Sequence, residues 1–238
     1  NNVSIGTSAM ILNNSGNSNV AIGAKALYLN TVKSNLVAIG DSALYKNGQG
    51  ATSEQAIFNT AIGSKVLSAN TIGLANTGLG FLALTANISG NLNTGLGAGV
   101  LSENTTGSFN CAFGTSSLQS NISGSSNVGI GIYALQELID GDNNVAIGQR
   151  AGNNLASGSG NVFLGYEAGY NETASNRLYI SNSNADGSNA LVYGEFDNQV
   201  FRINGNVGIG ESPGSYKLSV LHNSFGLKIQ NTNYPTNS

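Results

Sequence analysis

The sequence has no tryptophan, one cysteine, one methionine, one histidine and two prolines, and only 9% of its residues are charged. Each scarcity removes a class of explanation. With Cys111 alone, the fold needs no disulfides, and the count does not decide the redox compartment. The nine Lys and Arg residues are scattered, so no basic stripe exists to neutralise nucleic-acid phosphates. No window approaches eighteen apolar residues, which excludes a membrane-spanning helix. Neither an initiator Met nor a signal peptide precedes the opening "NNVSIG", and the chain reads as a fragment of something longer.

What is plentiful is small. Gly accounts for 33 of 238 residues, and Asn and Ser are abundant. Such composition can signal disorder, but disordered chains have few aliphatics and high net charge. Here 40% of residues are hydrophobic, the net charge is -3, and the apolar residues recur regularly.

The regularity is a repeat. "NNVSIGTSAM", "SNVAIGAKAL", "FNTAIGSKVL", "SNVGIGIYAL" and "NNVAIGQRAG" are versions of one string. Aligned on the Gly of "IG", the copies fall at Gly6, Gly23, Gly40, Gly63, Gly80, Gly97, Gly114, Gly131, Gly148 and Gly165. Every step is 17 residues except Gly40 to Gly63, which is 23 and marks an insertion near 46–58. Four before the Gly stands Asn, as in Asn19, Asn59, Asn93, Asn127 and Asn144, with Leu36 the exception. The consensus is N-V-A-I-G-x-x-A-L-x-x-N-x-x-G-x-x, and repetition at this period signals a stacked architecture.

Within one unit, "NVAI" alternates like a short strand. Its Val and Ile, such as Val20 and Ile22, are expected to fill the coil. The Gly should bend the chain, "A-L-x-x" should form a second extended piece, and Asn with the second Gly should turn through the left-handed region. The expected fold class is therefore all-β: a parallel β-solenoid of about ten 17-residue coils, roughly 48 Å long at the inter-strand spacing. Asn residues should stack in ladders. So thin a coil buries too little apolar surface to offset its own ordering entropy, which predicts lateral association into a parallel homotrimer.

The rhythm stops after Gly165. "RLYIS", "ALVYGEF" and "QVFRING" read as strands separated by the turns "NADGSN" and "DN", "NVGIG" (206–210) resembles the repeat, and "SYKLSVLHNSFGLKIQ" reads as a further strand pair before the linker-like "NTNYPTNS". The expected division is a solenoid over 1–172 and a C-terminal antiparallel β region over 173–238.

The "NVAIG" repeats resemble the head repeats of YadA-like trimeric autotransporter adhesins, which are left-handed parallel β-rolls. The longer unit, as in "NTTGSFNCAFG", looks closer to repeats in phage tail fibres. "NRLYISNS…LVYGEFDNQVFRINGNVGIGESPGSYKLSV" resembles the segment before the intramolecular-chaperone domain of endosialidase-type fibres, with Glu211 where those carry Thr and a shorter gap to Pro213. The chain stops at Ser238 with no chaperone domain, which the resemblance assigns to cleavage or truncation. The resemblance implies a non-enzymatic segment of a trimeric tail fibre on a virion surface, presenting a host-attachment surface. The alternative is an extracellular bacterial adhesin or filament.

No chemistry-bearing constellation competes with that reading. "GLGAG" (95–99) touches on dinucleotide-loop patterns but belongs to the repeat, so no cofactor is expected. His222 lacks catalytic partners. Glu137, Asp140 and Asp142 could suggest glycan-cleaving carboxylates but sit in a turn without a partner. Asp is too rare for a calcium-binding solenoid, and no metal is expected. Cys111 occupies the Val column and reads as a small buried hydrophobe. Thr60, Thr77 and Thr94 stack only three deep, and inward, unlike an ice-binding ladder. Candidate receptor or glycan contacts lie in the variable columns: Tyr28 and Tyr45 on adjacent rungs with Lys46 beside them and Lys25 nearby, then Phe81, Tyr133, Tyr166 and Tyr170. The residues favour packing between neighbouring chains as the use of these rings. The 46–58 loop is the one decoration of the coil. The receptor, glycan or protein, is unnamed by the sequence.

Overall fold

The computed structural model describes residues 1–209 and 218–220. Among them there is no helix, and the chain is a parallel β-solenoid. Each repeat supplies one short strand: β1 (Asn2–Ile5), β2 (Asn19–Ile22), β3 (Val37–Ile39), β4 (Thr60–Ile62), β5 (Thr77–Leu79), β6 (Thr94–Leu96), β7 (Cys111–Phe113), β8 (Val128–Ile130), β9 (Val145–Ile147) and β10 (Val162–Leu164). They pair in parallel, equivalent residue to equivalent residue: Val20 opposite Val37, Thr60 opposite Thr77, Val145 opposite Val162. The insertion is absorbed without loss of register, since Val37 pairs with Thr60.

The stack runs one turn further than the "IG" count. β11 (Arg177–Ile180) pairs in parallel with β10, Val162 opposite Leu178, which makes eleven turns. Its step is 16 residues, and the lost residue hides it from a 17-residue alignment. β11 then pairs antiparallel with β12 (Val192–Glu195), and β12 with β13 (Val200–Ile203). β14 (Val207–Ile209), inside "NVGIG", pairs in parallel with β15 (Leu218–Val220). The remainder of the expected terminal strand pair, the linker-like end and His222 lie outside the described residues.

Three expectations about the coil are corrected. First, Val20 and Ile22 do not fill it. Both are half-buried on the outer face of the sheet, while Ala21 between them is fully buried. The same holds along the stack: Ala38, Ala61, Ala112 and Ala146 point inward. Cys111 and Thr60, Thr77 and Thr94 therefore face outward, half-exposed. The interior is too narrow for more. Where the Ala three after the bend becomes Val66, Val100 or Ser117, the inward position facing it is Gly78, Gly95 or Gly129; a Cβ there would sit 2.5, 3.0 and 2.6 Å from those side chains.

Second, "A-L-x-x" is a run of turns and not a second strand. Third, the left-handed backbone does not fall on Asn and the second Gly. It falls on Ser18, Lys25 and Leu27 (φ 56°, 56° and 51°) and on their equivalents in the other coils. A left-handed conformation costs a non-glycine residue roughly 1–2 kcal/mol. At each of these three positions the N–H bonds to a neighbouring rung, as Lys25 N–H does to Thr7 O at 2.9 Å and Leu27 N–H to Ala43 O at 3.0 Å. The second Gly is required for space: a Cβ on Gly90 would lie 2.3 Å from Gly107 O and 2.4 Å from Asn87 Oδ1.

Two buried Asn ladders complete the core. The amide of Asn87 donates to Asn70 Oδ1, that of Asn104 to Asn87 Oδ1 and that of Asn121 to Asn104 Oδ1, each at 2.8 Å. In the column before the strands, Asn76 Oδ1 accepts the main-chain N–H of Asn93, and Asn76 Nδ2 donates to Gly90 O. Both ladders converge on the second-Gly carbonyl, since Asn87 Nδ2 also donates to Gly90 O. Asn thus satisfies main-chain groups that a thin coil has no helix or second sheet to pair. A third ladder on the surface escaped the sequence reading. Ser108, Ser125 and Asp142 follow the second Gly, and their side-chain oxygens accept the N–H of the preceding rung's equivalent residue. The recurrence of Asn, Ser or Asp directly after that Gly was its signal.

The carboxy-terminal coils are packed differently. The Leu column that runs from Leu27 to Leu135 gives way to Gly152 and Gly169, and Phe163 replaces the inward Ala. The Phe163 ring occupies the space of both missing Leu side chains: a Cβ on either Gly would fall within 2.5 Å of it. Tyr179 packs on Phe163 (5.9 Å between centroids) and Tyr193 edge-on against Tyr179 (5.2 Å). The tyrosine hydroxyls donate to Glu172 and Glu195 at 2.8 and 2.7 Å. This aromatic plug closes the core.

Candidate functional site

The solenoid exposes two chemically distinct surfaces. One is the outer face of the sheet. The Val column (Val20, Val37, Val128, Val145, Val162), interrupted by Thr60, Thr77 and Thr94, and the Ile column (Ile22, Ile39, Ile62, Leu79, Ile147) form a largely apolar strip along the stack. Phe58, Leu92 and Phe109 flank it before the Asn, and Phe81 and Ile132 flank it after the bend; Phe109 is 60% exposed. Cys111 sits within the strip, and partial burial pushes its thiol pKa up, away from the reactive thiolate.

The other surface is a turn face spanning the second to fourth rungs. Stacking by whole repeats places Tyr28 above Tyr45, with centroids 5.1 Å apart and planes within 2° of parallel. The next residue of that column is Ser68, so the aromatic stack ends at Tyr45. Over the vacant place lies a shallow depression of about 350 Å³ lined by Lys25, Ser42, Tyr45, Lys46, Lys65, Ser68 and Ala69. Lys25, Ser42 and Lys65 share one column, which brings two ammonium groups 40 residues apart in sequence to one side of it, and Lys46 adds a third. Among the described residues, no carboxylate lies within ion-pair distance of these three lysines; the ion pairs formed are Arg150–Glu167 and Arg177–Asp197.

The remaining expected contacts are not gathered here. Phe81 lies beside the apolar strip, Tyr133 is half-buried after β8, and Tyr166 and Tyr170 follow β10. Tyr166 contacts Glu167, which pushes its phenol pKa up. Asp142 is held in the surface ladder by Ser125 N–H at 2.7 Å, away from any catalytic pairing. Among the described residues, no three His, Cys, Asp or Glu side chains converge on a common point.

The 46–58 insertion folds back on the coil. Lys33, standing where other rungs have the second Gly, is 3% exposed, and its ammonium donates to Thr52 O. Burial pushes the Lys33 pKa down. Asn47 Nδ2 donates to Ala56 O at 2.8 Å and closes the base of the loop. Sequence spacing alone marked the loop but not Lys33, whose aliphatic stem packs against Gly48, where a Cβ would lie 2.7 Å from Lys33 Cγ.

Against models of known families, curated proteins and solved structures, the chain matches none.

Proposed function

We propose that this chain is a non-enzymatic structural and adhesive segment of a homotrimeric fibre of the phage-tail type, standing on the outside of a particle and presenting a surface for attachment to a cell. The observation that supports it is the outward apolar strip. At about 4.8 Å per rung it is some 50 Å long, and two columns alone give it on the order of 500 Å². A monomer that stood alone in water would gain by making such a largely apolar strip polar. Three parallel copies, each turning this strip toward a common axis, bury it completely and keep the polar turn faces outward. A left-handed coil, as in the β-rolls the repeat resembles, and a C-terminal antiparallel region at the end of the shaft belong to the same reading.

Light scattering of the purified chain tests this, with three chains per particle expected. Val128→Lys with Ile130→Lys places two charges per chain on the strip without entering the coil. The double variant should remain folded by circular dichroism and become monomeric. A folded wild-type monomer, or a double variant that stays trimeric, overturns the proposal.

A further inference from the structure

We infer that the depression beside Tyr45 is a binding site for an acidic sugar, a pyranose ring carrying a carboxylate. The class of ligand, a surface glycan, rests on the attachment reading above; the geometry of the site does not.

The Tyr28–Tyr45 stack uses one face of the Tyr45 ring and leaves the other toward the rung of Ser68. Rungs repeat every ~4.8 Å, which is the separation of stacked rings, so the vacant place in the column has the height of one flat ring. A third aromatic would have continued the stack; Ser68 leaves it open. A pyranose presents an apolar C–H face suited to Tyr45 and hydroxyls suited to Ser42 and Ser68, both half-buried at the edges of the depression. Lys25, Lys46 and Lys65 surround the same space with exposed side chains and, among the described residues, no carboxylate partner, so a ring bearing a negative charge is favoured over a neutral one. The protein carries net charge -3 and few other cations on the solenoid, which disfavours a polyphosphate backbone running beyond the three lysines.

Titration calorimetry of the full chain with an oligogalacturonate, and with the neutral oligogalactan of equal length, tests the assignment. The acidic oligomer should bind and the neutral one should bind at least about tenfold more weakly, the loss expected for one charge-assisted contact. Lys46→Gln should weaken the acidic oligomer by a similar factor. Ser68→Tyr should extend the aromatic stack into the vacant place and abolish binding, with circular dichroism and chain stoichiometry unchanged. Equal binding of the neutral oligomer, equal binding of a single-stranded oligonucleotide, or full affinity in Ser68→Tyr overturns the site. Chain stoichiometry, read separately by light scattering, reports on the fibre reading, so a trimer that ignores the sugar and a monomer that binds it are distinguishable failures.

Discussion

The middle coils and the last coils solve one packing problem in two ways. From Leu67 to Leu135 the core is a Leu column against inward Ala or Gly. Around β10 the large side chain moves across the coil: Phe163 takes the inward position, and Gly152 and Gly169 vacate the Leu column on either side of it. The difference shows that the coil conserves filled volume, and that the identity of any one column follows from what faces it. The Gly78–Val66, Gly95–Val100 and Gly129–Ser117 pairs obey the same rule on a smaller scale.

The largest expected effect removes the filler from the exceptional coil. Phe163→Ala should cost about 3–5 kcal/mol in denaturant unfolding, and Gly169→Leu alone about 1–3 kcal/mol through overpacking. Combining Phe163→Ala with Gly152→Leu and Gly169→Leu rebuilds the middle-coil pattern and should recover to within about 1.5 kcal/mol of the wild type. A triple variant no more stable than Phe163→Ala would break the comparison. Next in size, Asn104→Ala should cost about 1 kcal/mol more than Asn121→Ala by the same measurement. Asn104 is bonded by ladder neighbours on both sides, whereas Asn121 Oδ1 is left without a partner where Leu138 ends the column.

The smallest effect concerns pH and is confined to the aromatic plug. Burial first, then the bond to Glu195, pushes Tyr193 up to about 12, and the same causes, with Glu172 as the partner, raise Tyr179 further. A tyrosine whose folded pKa is raised stabilises the fold fully below its ordinary value near 10 and loses that contribution as pH rises through the folded value. Stability should therefore fall between about pH 10 and 12, with phenolate absorbance appearing as the plug opens. Tyr193→Phe should reduce this alkaline loss. An unfolding midpoint flat across that range would sink the assignment.

The period and the register of the first ten strands were legible in the sequence, because a solenoid makes sequence spacing a direct map of space; the eleventh rung, one residue short, and the absence of a second strand in each coil were not. Which side of the strand faces inward was not. Period two sorts residues onto faces without saying which face is inside, and the larger Val and Ile looked like core. The telling sign was size: between β2 and β9 the inward column admits nothing larger than Ala, while the outward one accepts Val, Thr and Cys. A column limited in volume lies inside the coil; a column that admits hydroxyls lies outside it. The left-handed positions were hidden because Leu27 and Lys25 carry no compositional mark of positive φ, the conformation being imposed by inter-rung hydrogen bonds. At the candidate site the Tyr28–Tyr45 pairing was legible from one repeat of spacing, and so was Lys46 beside it. Lys65, two after Gly63 as Lys25 is two after Gly23, was open to the same spacing argument and was passed over because its column otherwise varies.

The ladders also set how the rod carries load. The strand pairings and the Asn ladders join each rung to the next, so adjacent rungs are linked in series along the stack. Compression closes these bonds and meets a stiff column. Tension loads the rung-to-rung contacts in series, so the rod parts at its weakest joint rather than stretching evenly. Those joints are visible: the break in one Asn column at Leu36, and the breaks in the other below Asn30 and below Asn121. The buried ammonium of Lys33 and the folded-back loop sit beside the first, where they brace the shaft at the level of the lysine and tyrosine face.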